Sequence, residues 1–130
     1  MRRSEDMTFS SIDPASGERW QEHPAWGAAR LEEALAAASA AVPAWSARAI
    51  QERCGLLRRA GETLMRHRDE YALLMSREMG KVLAEARAEI EKSARACLYY
   101  VDEAPRMLAD EVIGSEAHRS LVAYQPLGLV

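Results

Sequence analysis

Seven residues spaced as one face of a helix constrain this chain more than anything else in it. Leu83, Ala86, Ile90, Ala94, Cys97, Val101 and Ala104 follow each other at steps of three and four, the repeat of a helix with a single buried stripe. The faces between them hold Glu85, Arg87, Glu91, Lys92 and Arg95, a mixture of signs that reads as a solvated, salt-bridged surface. A stripe of this length must be covered, so the spacing predicts a long helix packed on at least one other element. Pro105 lacks the N–H that would continue the ladder and is expected to kink or end it.

Three further helices precede it. From about Gly27, Leu31, Leu35, Ala38, Val42 and Trp45 recur at helical steps, with Arg30, Glu32 and Glu33 elsewhere. Pro43 is expected to close this helix near Val42, and Ser46 to cap the next by accepting a bond from a free backbone N–H. That second helix should run to about His67 with Ile50, Cys54, Leu57 and Leu64 inward. Asp69 is expected to cap a third, which carries Ala72, Met75 and Met79 inward and stops at Gly80. The helices should pack on one another along these stripes.

Both ends of the chain read as β-like. Phe9–Ile12 and Glu18–His23 flank Asp13-Pro14-Ala15-Ser16-Gly17, where proline presets φ, aspartate bonds its own backbone and glycine tolerates positive φ. Trp20 between charged neighbours suggests a half-buried strand. Val112-Ile113 and Leu121–Tyr124 are candidate strands around a loop at Gly114–Ala117. Pro126-Leu127-Gly128-Leu129-Val130 looks like the first residues of a buried strand, and an apolar end of this kind is expected of a sequence that has been cut. Residues 1–7 are expected to form a loose tail, and residues 8–130 one incomplete domain. The fold class is a helix-rich α/β piece with short β elements at both ends.

Composition narrows the function. The chain has 130 residues and a formal charge of −3, with basic residues interleaved among acids, which excludes the phosphate neutralisation that drives nucleic-acid binding. No apolar run approaches the roughly 20 residues of a membrane span, and no apolar segment follows Arg2-Arg3 to make a secretory leader. Two cysteines do not make a disulfide framework, and a reducing, cytoplasmic setting fits them. Of the 48% apolar share, much is alanine and only one residue is Phe, so the core should be thin.

Candidate chemistry is sparse. There is no glycine-rich phosphate loop, and His23, His67 and His118 lack ligand spacing. Cys54 and Cys97 lie on apolar stripes, where a free thiol acts as a small hydrophobe, whereas a reactive thiolate wants an electropositive and partly exposed setting. Tyr99-Tyr100 could line a pocket but reads more simply as packing against a neighbouring layer. No catalytic or cofactor-binding residue is assigned, and no metal site.

Four stretches, in order, carry a family resemblance. Ser11-Ile12-Asp13-Pro14-Ala15-Ser16-Gly17-Glu18 resembles the asparagine-proline-x-x-glycine opening of the aldehyde dehydrogenase superfamily, with Asp13 where asparagine is usual. Glu33–Ala38 through Val42-Pro43-Ala44-Trp45 is similar to its first helix and the break after it. Glu78-Met79-Gly80-Lys81 followed by Leu83–Ala86 resembles its glutamate-x-glycine-lysine turn and long helix. Tyr124-Gln125-Pro126-Leu127-Gly128 resembles the segment just before its cofactor-binding strand. The resemblance spans Phe9 to Val130, and the wording looks most like bacterial succinate-semialdehyde dehydrogenases. It implies the N-terminal scaffold of an NAD(P)-dependent aldehyde oxidoreductase that assembles as a homodimer or homotetramer, with the strands around Val112–Tyr124 reaching towards a neighbouring subunit. It further implies that the family's catalytic Cys, Glu and Asn lie beyond Val130, that Cys54 and Cys97 match no catalytic position, and that this chain alone is inactive and binds no cofactor. Some members hold a structural cation, for which Ile12 and Glu78 stand at the matching positions. The alternative, of a different class, is a stand-alone helical module that binds a dehydrogenase subunit or another protein partner.

Overall fold

The computed structural model describes residues 7–130, so residues 1–6 of the expected tail lie outside the described residues. Met7 follows them, and its carbonyl accepts a bond from the Ala25 N–H at 2.8 Å. Eight elements follow in the order β1 (Thr8–Ile12), β2 (Arg19–Pro24), α1 (Ala28–Ser46), α2 (Ile50–Arg66), α3 (Arg68–Met79), α4 (Leu83–Met107), β3 (Glu111–Val112) and β4 (Leu121–Val122). The fold is helix-rich, with two separate two-stranded antiparallel ribbons, β1–β2 and β3–β4.

The core forms where the strongest sequence signal lies. α4 packs on both α2 and α3, and Ala86, Ile90, Ala94 and Val101 of its stripe are buried. Leu83, Cys97 and Ala104 are half-buried, so all seven stripe positions face inward. α2 contributes Cys54 and Gly61, and α3 contributes Ala72. The closest approach of α2 to α4 is at Gly61, where a Cβ would stand 3.1 Å from the Cys97 Cβ and 3.3 Å from the Ala94 carbonyl oxygen. A side chain there would hold the helices apart, and glycine lets them meet.

Several expected boundaries move. α1 does not stop at Val42 but runs to Ser46 with Pro43 inside it, and α4 passes Pro105 to reach Met107. In both cases proline falls within the last turn or so, where it removes only its own N–H. Beyond it the ladder goes on, from the Ala47 N–H to the Pro43 carbonyl at 3.0 Å and from the Leu108 N–H to the Ala104 carbonyl at 3.0 Å. Ser46 is therefore the end of α1 and not a cap of α2, which begins after Ala49 with no side-chain cap. α2 and α3 are separated by His67 alone, which places Asp69 inside the first turn of α3 instead of at its cap. Met79, expected inward, is exposed.

The largest correction concerns α1. Its stripe was expected to pack on the other helices, yet it holds no buried residue, and Leu31, Leu35 and Trp45 are 49%, 43% and 48% exposed. Periodicity identifies the apolar face of a helix but not what covers it. Likewise Pro126–Val130 forms no strand, because no neighbouring strand among the described residues offers it a ladder, and Leu127 is 91% exposed.

Candidate functional site

The β1–β2 turn is built as its sequence suggests. The Asp13 carboxylate accepts from the Ala15 N–H at 2.8 Å, the Gly17 N–H donates to the Asp13 carbonyl at 2.7 Å, and Gly17 has φ +75°. A register irregularity between Ser11 and Ile12 adds twist to the ribbon next to the turn.

This turn docks on the one between α3 and α4. Gly80 ends α3 in the left-handed region at φ +69°, its N–H donating to the Ser76 carbonyl at 2.9 Å. A Cβ on Gly80 would lie 3.2 Å from the Pro14 Cβ. Arg77 of α3 places its guanidinium carbon 4.3 Å from the Trp20 ring centroid, a cation–π stack across the same joint. Two stretches about sixty residues apart, Asp13–Gly17 and Glu78–Lys81, thus meet in one place. Gly80→Ala forces a left-handed alanine and presses its methyl onto Pro14. It is expected to cost about 1–2 kcal/mol, read as a lower melting temperature with a shift in tryptophan emission as Trp20 loosens.

A second polar joint ties α3 to α4. Arg68 bonds Glu91 at 2.9 Å, and Arg87 bonds Asp69 at 2.9 Å. The Arg87 hydrogen bond, helped by Arg68, holds the Asp69 carboxyl below the usual carboxylate range, while the bond to Glu91, with Asp69 adding to it, raises Arg68 further. Lys81 pairs with Glu89 just beyond the glycine turn. These pairs are solvent-screened and set orientation more than stability.

The individually considered residues do not converge. Cys54 is buried on α2, and Cys97 is half-buried on α4 beside Gly61. His67 bonds Glu70 at 2.9 Å, and His118 is exposed in the β3–β4 loop. His23 lies 3.3 Å from the Ser11 hydroxyl on the exposed face of the β1–β2 ribbon, long for a hydroxyl bond and with no carboxylate orienting the ring. Tyr99 and Tyr100 meet edge-on at 5.3 Å and are both exposed, which corrects their reading as packed against a layer. No group of three His, Cys, Asp or Glu residues among the described residues is placed to hold a metal ion, and Ile12 and Glu78 lie in exposed backbone on either side of the docked turns.

Nucleotide cofactors of α/β enzymes sit outside the carboxyl ends of parallel strands, where strand order reverses. Both ribbons here are antiparallel pairs, and the helix N-caps are Gly27, Ala49, His67 and Val82, none following a strand of a larger sheet. The described residues do not fit a nicotinamide nucleotide, and no reaction step is routed through one on them. Sequence reasoning missed the Arg77–Trp20 stack and the Gly61 crossing. Only Gly61 left a signal, a glycine inside an otherwise helical pattern.

Comparison with known proteins agrees with this geometry. The aldehyde dehydrogenase family matches over residues 1–130. The NAD(P)+ succinate semialdehyde dehydrogenase Sad of Escherichia coli is 38% identical over 120 residues, 92% of this chain and 26% of that protein. A glutarate-semialdehyde dehydrogenase of Pseudomonas aeruginosa is 38% identical over 124 residues, 95% of this chain and 26% of its own length. Among solved structures, succinate-semialdehyde dehydrogenase from Burkholderia pseudomallei superposes with a TM-score of 0.84 at 34% identity, covering 95% of this chain and 26% of that one. The chain spans about a quarter of the length of the curated relatives it matches.

Proposed function

This chain belongs to the aldehyde dehydrogenase family, and from that premise we propose that it is the N-terminal scaffold of an enzyme oxidising a semialdehyde, succinate semialdehyde first, to the carboxylic acid with NAD(P). The single observation that carries the reading is the match over residues 1–130 together with relatives named for semialdehydes at 38% identity. The chemistry of such an enzyme needs a thiolate attacking the aldehyde, hydride transfer to the nicotinamide, and hydrolysis of the thioester. None of the residues described supplies those parts. Buried Cys54 is shielded from an aldehyde, and Cys97 sits against the α2–α4 crossing with no general base beside it. What these residues do is position: the docked turns at Pro14 and Gly80 fix the hairpin to the helical core, and α4 carries that core as one rigid rod.

The enzyme is proposed to act in the cytoplasm as a homodimer or homotetramer; no described helix is long and apolar enough to cross a membrane. The test is to express the longest reading frame containing these residues and follow reduction of NADP+ and NAD+ with succinate and glutarate semialdehydes. Turnover with succinate semialdehyde is expected from the longer protein and none from the 130-residue chain. Activity of the short chain that survives a second purification would overturn the scaffold role. A longer protein inert towards both semialdehydes would overturn the substrate.

A further inference from the structure

α1 is a helix with an apolar stripe and nothing to bury it. Leu31, Leu35 and Trp45 all stand about half exposed, and α1 makes no substantial packing with α2, α3 or α4. Its stripe does not stop at the helix end. Trp45 also forms one wall of a groove of about 420 Å³, whose other walls include Ile50, Cys54 and Leu57 of α2 and Ala104 and Leu108 at the end of α4. Stripe and groove therefore form one continuous apolar surface, larger than scattered exposed leucines would give.

The solved relative keeps this arrangement over 95% of the chain, within a protein in which these residues make up about a quarter. Something must hold α1 in that orientation, and the described residues do not. We propose that the α1 stripe and the adjoining α2–α4 groove are a docking surface for the other three quarters of an aldehyde dehydrogenase chain. The proposal rests on the family reading above and goes beyond it by assigning the surface and its occupant. It separates the chain into two parts: a self-packed unit of α2, α3 and α4, and a helix whose place is set from outside.

That separation gives a test with opposite signs in two settings. These 130 residues would replace the corresponding quarter of Escherichia coli Sad, and Leu35→Asp and Trp45→Asp would be made both in that chimera and in the chain alone. Asp on an exposed helix face should move the melting temperature of the chain alone by no more than about 2 °C. In the chimera each Asp would bury an unpaired charge. The expected results are a melting temperature lower by about 10 °C or more and a turnover reduced at least about tenfold. A chimera indifferent to both substitutions overturns the proposal, and so does an unmodified chimera that fails to fold. Asp variants that destabilise the chain alone would show α1 packed inside it, and a chain that is dimeric until Asp is introduced would assign the surface to a second copy. The chimera draws its catalytic residues from Sad, so its result does not depend on which aldehyde the natural protein oxidises.

Discussion

Replacing Ile90 by aspartate is expected to cost the chain about 3–5 kcal/mol, the penalty for an uncompensated charge in a core. Ile90 stands at the middle of α4, 8% exposed, with Ala86 and Ala94 one turn away on either side and both buried. The buried apolar residues among those described are only Cys54, Ala72, Ala86, Ile90, Ala94 and Val101, and Ile90 is the bulkiest of them. A core made mostly of alanine cannot rearrange around a carboxylate, because it has few long side chains to swing aside. Ordinary domains hold about 5–15 kcal/mol in all, so this one substitution should remove much of the chain's stability. Ile90→Val is the control, expected to cost about 1 kcal/mol through the lost methylene. Urea unfolding followed by helical circular dichroism reads both. An aspartate variant with the parent's midpoint would mean that the buried face of α4 lies elsewhere.

How much of this could be read before the structure follows from what kind of interaction each feature uses. The α4 stripe was legible because helix periodicity and burial coincide, and all seven positions turn inward. The β1–β2 turn was legible because proline, aspartate and glycine act locally, and Asp13, Gly17 and half-buried Trp20 do what their chemistry dictates. Helix ends were misjudged where one local rule competed with a longer ladder. Pro43 and Pro105 cost a single hydrogen bond each, too little to end α1 or α4 before the next turn. The docked turns were legible as separate motifs but not as neighbours, since the contact of Pro14 with Gly80 and the stack of Arg77 on Trp20 join segments far apart in the chain. The face of α1 marks another boundary of such reading: the same repeat that is buried in α4 stands open in α1, because the difference lies in the partner.

The second large effect is expected at the α2–α4 crossing. Gly61 is buried, and any Cβ there meets both the Cys97 Cβ at 3.1 Å and the Ala94 carbonyl oxygen at 3.3 Å. The first neighbour is the root of a side chain and the second is backbone, so neither can swing away as the tip of a long chain would. Alanine sets two opposing effects against each other. It gains about 1 kcal/mol of helix propensity over glycine and loses a similar amount by pushing α4 outward by a few tenths of an ångström, so Gly61→Ala should lie within about 1 kcal/mol of the parent. Leucine has the same propensity gain but three further carbons to place between two helices already in contact. Gly61→Leu is expected to destabilise by about 3 kcal/mol, at the upper end of overpacking costs. The same urea midpoints decide it, with Gly61→Ala as the internal reference. Equal midpoints for the two variants would mean that α2 and α4 have room between them at Gly61. A leucine variant well below the alanine one would fix this glycine as the point where the two longest-packed helices of the scaffold touch, and hence as the pivot that sets the width of the groove into which Trp45 leads.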